Sequence, residues 1–217
     1  MSLAIFDLDN TLIAGDSDHA WGEFLIDQNI VDSGQFQRAN DQFYADYVAG
    51  TLDIDAYLRF ALTPLAQFSL PELAQLHQSF FTAKIAPIML PKAEALITEH
   101  RAKGDRILII TATNRFVTEP IAKALGIHEM LASEGEIVNE RYTGQPTGTP
   151  CFQHGKVTRL TQWLKDNNED LEGSYFYSDS VNDLPLLERV QYPIAVDPDE
   201  RLKQIAQQRS WPIVSLR

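Results

Sequence analysis

The sequence predicts an α/β fold, a doubly wound parallel sheet interrupted after its first strand by a helical insert. Three observations predict it. The chain opens on a short apolar run, Leu3-Ala4-Ile5-Phe6, that ends in acid. Only helical periodicity follows, from about residue 16 to 88. From about residue 91, strand-like and helix-like segments alternate to the end of the chain, and the strands are almost continuously apolar. That is the signature of a parallel sheet buried on both faces.

Each element has its own cue. Residues 3–9 form the first strand. Within the insert, Ala20, Trp21, Phe24 and Leu25 define one helical face. Phe36, Phe43, Tyr44, Tyr47 and Val48 define a second, stopped by Gly50, and read as core of the insert. Ile54, Tyr57, Leu58, Ala61 and Leu62 define a third. Ser69 and Glu72 have capping-box spacing ahead of Leu73, Leu76, Phe80 and Phe81. Helices then follow over 91–100 and 116–125, punctuated by Gly104 and Gly126, with a β-run over 106–111 between them. Residues 137–152 are rich in Gly, Thr and Pro and predict a hairpin or flap. Beyond it come a helix over 156–165, a strand over 174–178 and a helix over 184–190. A strand over 193–196, a helix over 200–208 and a last strand over 212–216 complete the pattern. The expected division is a core of residues 1–15 and 89–217 and an insert of residues 16–88.

Composition bounds the class. The chain has 217 residues, 44% of them hydrophobic, and a formal net charge of −12. A chain of this length buries about 70% of its unfolded surface and needs no staple. Its single cysteine, Cys151, excludes an internal disulfide and reads as inert. The acidic balance argues against nucleic acid or an anionic membrane as partner. No apolar run is long enough for a transmembrane helix, and no signal segment is read at the N-terminus. The expectation is a cytoplasmic protein, monomer or homodimer, whose partner is a small phosphorylated metabolite. The five histidines have no metal-ligand spacing.

In an open α/β sheet the ligand sits beyond the carboxyl ends of the strands. There the sequence places Asp7 and Asp9, then Thr111 and Ala112, then Asp179, Asn182 and Asp183, with Lys156 opening a helix between the last two groups. Aspartates at two strand ends call for a hard cation, and Mg²⁺ takes one or two carboxylates plus water and phosphate oxygens. A carboxylate can attack phosphorus and split one displacement into two. Its neighbour can give a proton and later take one from water. Thr111 and the following amides suit phosphate oxygens, and Lys156 suits their spreading charge.

These segments, Asp7-Leu8-Asp9-Asn10-Thr11, Thr111, Lys156, and Asp179 with Asp183, appear in the order of the four motifs of the haloacid dehalogenase superfamily. The chain resembles that superfamily's phosphoserine phosphatase-like branch over nearly its whole length. The resemblance implies a Rossmann-like core, with residues 16–88 as its helical cap. It implies a Mg²⁺-dependent phosphomonoester hydrolase that passes through an aspartyl phosphate. Asp7 would be the nucleophile and Asp9 the acid/base, with Mg²⁺ on the Asp7 side chain, the Asp9 carbonyl and Asp179. Asn182 and Asp183 would support that shell. Two positions depart from the usual pattern, Thr111 for Ser and Ser180 for Gly, and both keep the chemistry.

In that branch an acidic residue near Asp16 reads a substrate amine. The run Gly15-Asp16-Ser17-Asp18-His19-Ala20-Trp21 is similar to a bacterial subset that includes histidinol-phosphate phosphatases. An amine-bearing metabolite such as L-histidinol phosphate or phosphoserine is the implied substrate. Asp16, Asp18, Arg59 and Arg115 are the selectivity candidates, and Asp16 with Ser17 also reads as a helix cap. A receiver-like phosphoaspartate switch and a phosphotransferase are the alternatives; Asp9 and the first-strand position of Asp7 speak against the switch.

Overall fold

The computed structural model describes residues 2–217. Strand β1 (Leu3–Phe6) leads into helices α1 (Ser17–Asp27), α2 (Ser33–Ala49), α3 (Ile54–Leu62) and α4 (Leu70–Phe80). Helix α5 (Pro91–Ala102) and strand β2 (Arg106–Asn114) follow, then α6 (Arg115–Ala124), β3 (Met130–Val138) and β4 (Arg141–Thr147). The chain ends with α7 (His154–Asn167), β5 (Tyr175–Ser178), α8 (Leu184–Leu187), β6 (Tyr192–Val196), α9 (Glu200–Gln208) and β7 (Ile213–Val214).

The seven strands form one sheet in the order β4-β3-β2-β1-β5-β6-β7, parallel throughout except for the β3–β4 hairpin. Strand order reverses between β1 and β5. That reversal opens a crevice beyond their carboxyl ends, where an open α/β sheet binds its ligand. The sheet explains why its strands read as unbroken apolar runs. Ala4 and Phe6 pack into one core with Ile109, while Leu3 and Ile5 pack into the other with Leu108 and Ile110. Successive side chains point to opposite faces, and both faces are covered.

The insert helices pack on the first of these cores through Trp21, Phe24, Leu25, Leu58, Leu62 and Phe80. Their ends are set by side chains. Asp16, Asp32 and Asp53 cap α1, α2 and α3, and Ser69 with Glu72 closes the capping box of α4. Gly50 ends α2 in the left-handed region at φ 77°, which only glycine adopts freely.

Several expected boundaries move. The first strand, expected over residues 3–9, stops at Phe6, and the β-run expected over 106–111 extends to Asn114. The flap expected over 137–152 begins as a sheet strand at Met130, and its tight turn is Asn139-Glu140, both at positive φ. Pro146 and Gly144 disguise β4, but β4 is an edge strand, where proline is tolerated. The helix expected over 184–190 stops at Leu187, and the last strand shortens to two residues, Ile213 and Val214.

Candidate active site

Asp7 continues the line of β1. Its amide donates to the Tyr177 carbonyl of β5 at 2.9 Å, so the adjoining strand fixes its backbone. Its carboxylate is buried, and Oδ1 accepts from Lys156 Nζ at 2.7 Å. Lys156 lies on the first turn of α7 and also reaches both Asp183 oxygens, at 2.7 and 2.8 Å. Ser178 Oγ donates to Asp183 Oδ2 at 2.7 Å. Burial alone would lower the Lys156 ammonium, but Asp183 and Asp7 override it and hold it above its ordinary value.

After Leu8 the chain turns through Asn10 in the left-handed region, at φ 56°. This turn aims Thr11 back at β5. Thr11 Oγ1 donates to Asp179 Oδ1 at 3.2 Å and accepts from the Asp179 amide at 3.1 Å. The first and last aspartate segments are thereby joined. Asp9 is held by both of its oxygens. Oδ1 accepts from the Ser17 amide at the start of α1, at 2.6 Å, and Oδ2 accepts from Thr113 Oγ1 at 2.8 Å. The Thr113 amide in turn donates to Thr111 Oγ1 at 3.2 Å.

The electrostatics are those of an anionic site short of cations. Burial, then repulsion from Asp183 and Asp9, raises Asp7 to about 7 despite the opposing pull of Lys156. Burial, then Asp7 and Asp183, raises Asp179 well above the carboxylate range. Burial raises Asp9 too, against the bonds from Ser17 and Thr113. Asp7 and Asp183 share the Lys156 ammonium. A divalent cation held by Asp7 and Asp179 would remove the excess negative charge, so the donor set suits Mg²⁺. Among the described residues no three His, Cys, Asp or Glu side chains cluster as a ready-made cage. Two carboxylates and a backbone carbonyl, completed by water, need no such cage.

A pocket opens above these groups. Its floor is Asp7, Asp9, Thr111, Ala112 and Thr113. Its walls come from the insert: Asp16, Asp18 and His19 of the α1 start, Phe43, Tyr44 and Tyr47 of α2, and Tyr57 of α3. Asp16 Oδ1 accepts from the Asp18 and His19 amides at 3.0 and 2.8 Å, so the capping reading of Asp16 holds while the residue also faces the pocket. Desolvation, then Asp9, raises Asp16 to about 7. Desolvation, then Asp16, raises Asp18 to about 8.

Several sequence expectations are corrected. Arg115 does not face the pocket. Its guanidinium clamps both oxygens of Glu134 on β3, at 2.8 to 3.0 Å, and reaches the Met130 carbonyl. Arg59 is exposed on α3 and lines no part of the pocket. Asn182 does not support the aspartates. It accepts from Gln153 at 3.3 Å and donates to the Tyr47 carbonyl at 3.0 Å, tying the insert to the core. The aromatic face of α2 is not all core. Phe36 stacks on Phe60 with centroids 4.4 Å apart, but Phe43, Tyr44 and Tyr47 turn toward the pocket.

Thr11, Thr113, Asn114, His19 and Tyr57 are site residues that the sequence reading passed over. Cys151 is buried against the Leu131 carbonyl, and burial pushes its thiol up to about 12, which suits its inert reading. His77 packs among Trp21, Phe80 and Phe116, and its Nε2 donates to the Val117 carbonyl at 2.8 Å.

A family model described as haloacid dehalogenase-like hydrolase matches residues 4–188. The chain belongs to the haloacid dehalogenase-like hydrolases. It is 45% identical over 220 residues to a histidinol-phosphatase of Neisseria meningitidis, covering all of this chain and 99% of that protein. It is 30% identical over 217 residues to a phosphoserine phosphatase of Mycobacterium tuberculosis, covering 99% of this chain and 70% of that one. A crystal structure of a Bordetella pertussis protein of unknown function superposes with a TM-score of 0.93 at 43% identity, covering 100% and 99% of the two chains. Substrate-bound phosphoserine phosphatase superposes with a TM-score of 0.72 at 16% identity, covering 100% and 93%; it shares the fold. The chain stands among the phosphatases of its family.

Proposed function

We propose that this phosphatase hydrolyses the phosphate monoester of a small cationic amine without a carboxylate, L-histidinol phosphate being the compound that fits best. Residues 16–88 serve as the cap that reads the organic part. One observation carries the choice. Among the described residues, Lys156 reaches the phosphate end through Asp7, and no lysine or arginine lines the pocket beside Asp16 and Asp18. Phosphoserine would bring a carboxylate into buried ground beside two carboxyl groups with no lysine or arginine to receive it, which costs several kcal/mol of desolvation. L-histidinol phosphate offers an ammonium and an imidazole and no carboxylate. The aromatic walls suit a flat or cationic ring. The 45% identity to a histidinol-phosphatase supports the same choice.

The chemistry follows from the chain's own groups. Lys156 occupies Asp7 Oδ1, so Oδ2 is the oxygen directed to attack phosphorus in line. As the phosphorus–ester bond breaks, Asp9 gives its proton to the leaving alkoxide. The products of this step are the free alcohol and a phosphoryl group on Asp7. Asp9, now a carboxylate, takes a proton from the water that attacks phosphorus. Inorganic phosphate leaves and Asp7 is restored. Thr113 and the Ser17 amide keep Asp9 in place through both halves. Thr111 and Lys156 meet the phosphoryl oxygens. The Asp7 side chain, the Asp9 carbonyl and Asp179 would hold Mg²⁺, which when bound would neutralise charge on the phosphate and lower the proton affinity of Asp7.

The test is kcat/KM for L-histidinol phosphate, O-phosphoserine, O-phosphoethanolamine and p-nitrophenyl phosphate, with Mg²⁺ and after chelation. The reading expects steady multiple turnover, at least tenfold preference for L-histidinol phosphate over O-phosphoserine, and loss of turnover with chelator. Equal or greater efficiency on O-phosphoserine overturns the substrate choice. A single stoichiometric phosphorylation without turnover overturns the hydrolase reading.

A further inference from the structure

Two aspartates stand in the substrate pocket, and they are not equivalent. Asp16 is engaged: its Oδ1 caps α1 through two amides. Asp18 is 4% exposed, and its Oδ1 accepts from Asn114 Nδ2 at 3.2 Å. Asn114 is itself anchored, because its Oδ1 accepts from the Val117 amide at 3.2 Å as the cap of α6. Asp18 Oδ2 has no hydrogen-bond partner. Tyr57 lines the same pocket as Asp18. A buried polar atom left unpaired costs roughly 1–3 kcal/mol, so one on a fixed side chain that lines a pocket points to a ligand that completes it.

Asp16 and Asp18 flank Ser17, whose amide donates to Asp9 Oδ1 at 2.6 Å, and both line the pocket with Tyr57. A substrate whose phosphate rests on Asp7 therefore has its organic part beside both aspartates. Among the described residues, His19 is the only basic one lining the pocket, and its ring is drawn to Asp41 at 3.0 Å rather than to Asp18.

We propose that Asp18 is a specificity-determining residue whose Oδ2 accepts an N–H from a nitrogen ring of the substrate, with Tyr57 walling that ring and Asn114 holding the carboxyl. This rests on the phosphomonoesterase reading above and adds the residue that separates a ring-bearing amine from a simple one. Asn114 fixes one oxygen and leaves the other as acceptor, so the carboxyl is preorganised and loses little freedom on binding.

Asp18→Asn is the informative variant. The asparagine oxygen still accepts from Asn114, while its NH₂ replaces the free acceptor by a donor. The ratio of kcat/KM for L-histidinol phosphate to that for O-phosphoethanolamine, which has the amine but no ring, should fall roughly 10- to 100-fold, through KM. The inhibition constant of L-histidinol should rise by a similar factor relative to that of inorganic phosphate. A purely structural role would move the substrates and both inhibitors together, and that result overturns the proposal. On the unmodified enzyme, L-histidinol should compete at least tenfold more tightly than ethanolamine; equal competition also overturns it. Failure of the underlying reading looks different: the unmodified enzyme then turns over O-phosphoserine and not L-histidinol phosphate.

Discussion

Replacing Lys156 by methionine removes the ammonium that touches both Asp7 and Asp183. The side chain is 2% exposed and makes three contacts of 2.7 to 2.8 Å, so almost none of its electrostatic role is taken by water. Methionine fills similar volume, which isolates the charge from the packing. Leaving a buried carboxylate without its partner costs roughly 3–5 kcal/mol. A chain of this size loses about 2–4 °C of melting temperature per kcal/mol, so a fall of roughly 6–20 °C is expected.

The pH dependence has a definite sign. Asp7 already binds its proton more tightly in the folded protein than in the unfolded chain, and the variant strengthens that preference. The folded state then carries more protons, so stability falls as pH rises from the unfolded carboxyl value through the folded one. The deficit is greatest at neutral pH and shrinks toward pH 4. The assay is thermal melting from pH 4 to 8, in the presence of chelator, beside kcat with Mg²⁺. Loss of a preorganised charge at the phosphoryl oxygens should lower kcat about 10²–10³-fold. A double variant, Lys156→Met with Asp183→Asn, should recover part of the stability and none of the rate. A melting temperature within about 2 °C of the parent at pH 7, or an undiminished rate, would refute the paired-charge account.

Asp9→Asn should slow both half-reactions by about 10²-fold or more, measured as single-turnover phosphorylation and dephosphorylation rates. Thr113→Val removes one of the two bonds on Asp9, and kcat should fall roughly tenfold or more with little change in KM. That bond lowers the Asp9 proton affinity, so its loss should move the basic limb of the kcat profile to higher pH. Arg201 on α9 donates to the Ala49 carbonyl at 3.0 Å and to Val48, at the end of α2. Arg201→Ala should loosen that end of the cap and raise KM several-fold, with faster amide exchange confined to the α2–α3 turn.

The parts of the fold legible in the sequence were those where one property decides. Leu3 to Phe6 is apolar on both faces and can only be a central strand, and Gly50 and the Ser69–Glu72 pair mark helix ends by local chemistry. Asp7, Asp179 and Lys156 could be singled out because strand ends and helix starts are positions that spacing reveals. β3 was missed because its outer half is polar and its partner carries Pro146. The pocket side chains were harder for a different reason. Whether Tyr47 or Arg115 faces a ligand depends on what meets it from a distant element. Glu134 captures Arg115 from β3, whereas Tyr47 lines the pocket. Asp16 and Asp18 look alike in the sequence; only the amides above Asp16 and the amide group of Asn114 tell them apart.

The most direct measurement is to mix the enzyme with substrate and Mg²⁺, quench in acid within one turnover and find the phosphoryl group by peptide mass spectrometry. The account predicts one phosphoryl increment on the peptide containing Asp7, decaying at the turnover rate and missing in Asp7→Asn, which also shows no turnover while melting much as the parent does. A phosphoryl group on any other residue, or turnover that persists in Asp7→Asn, would contradict it.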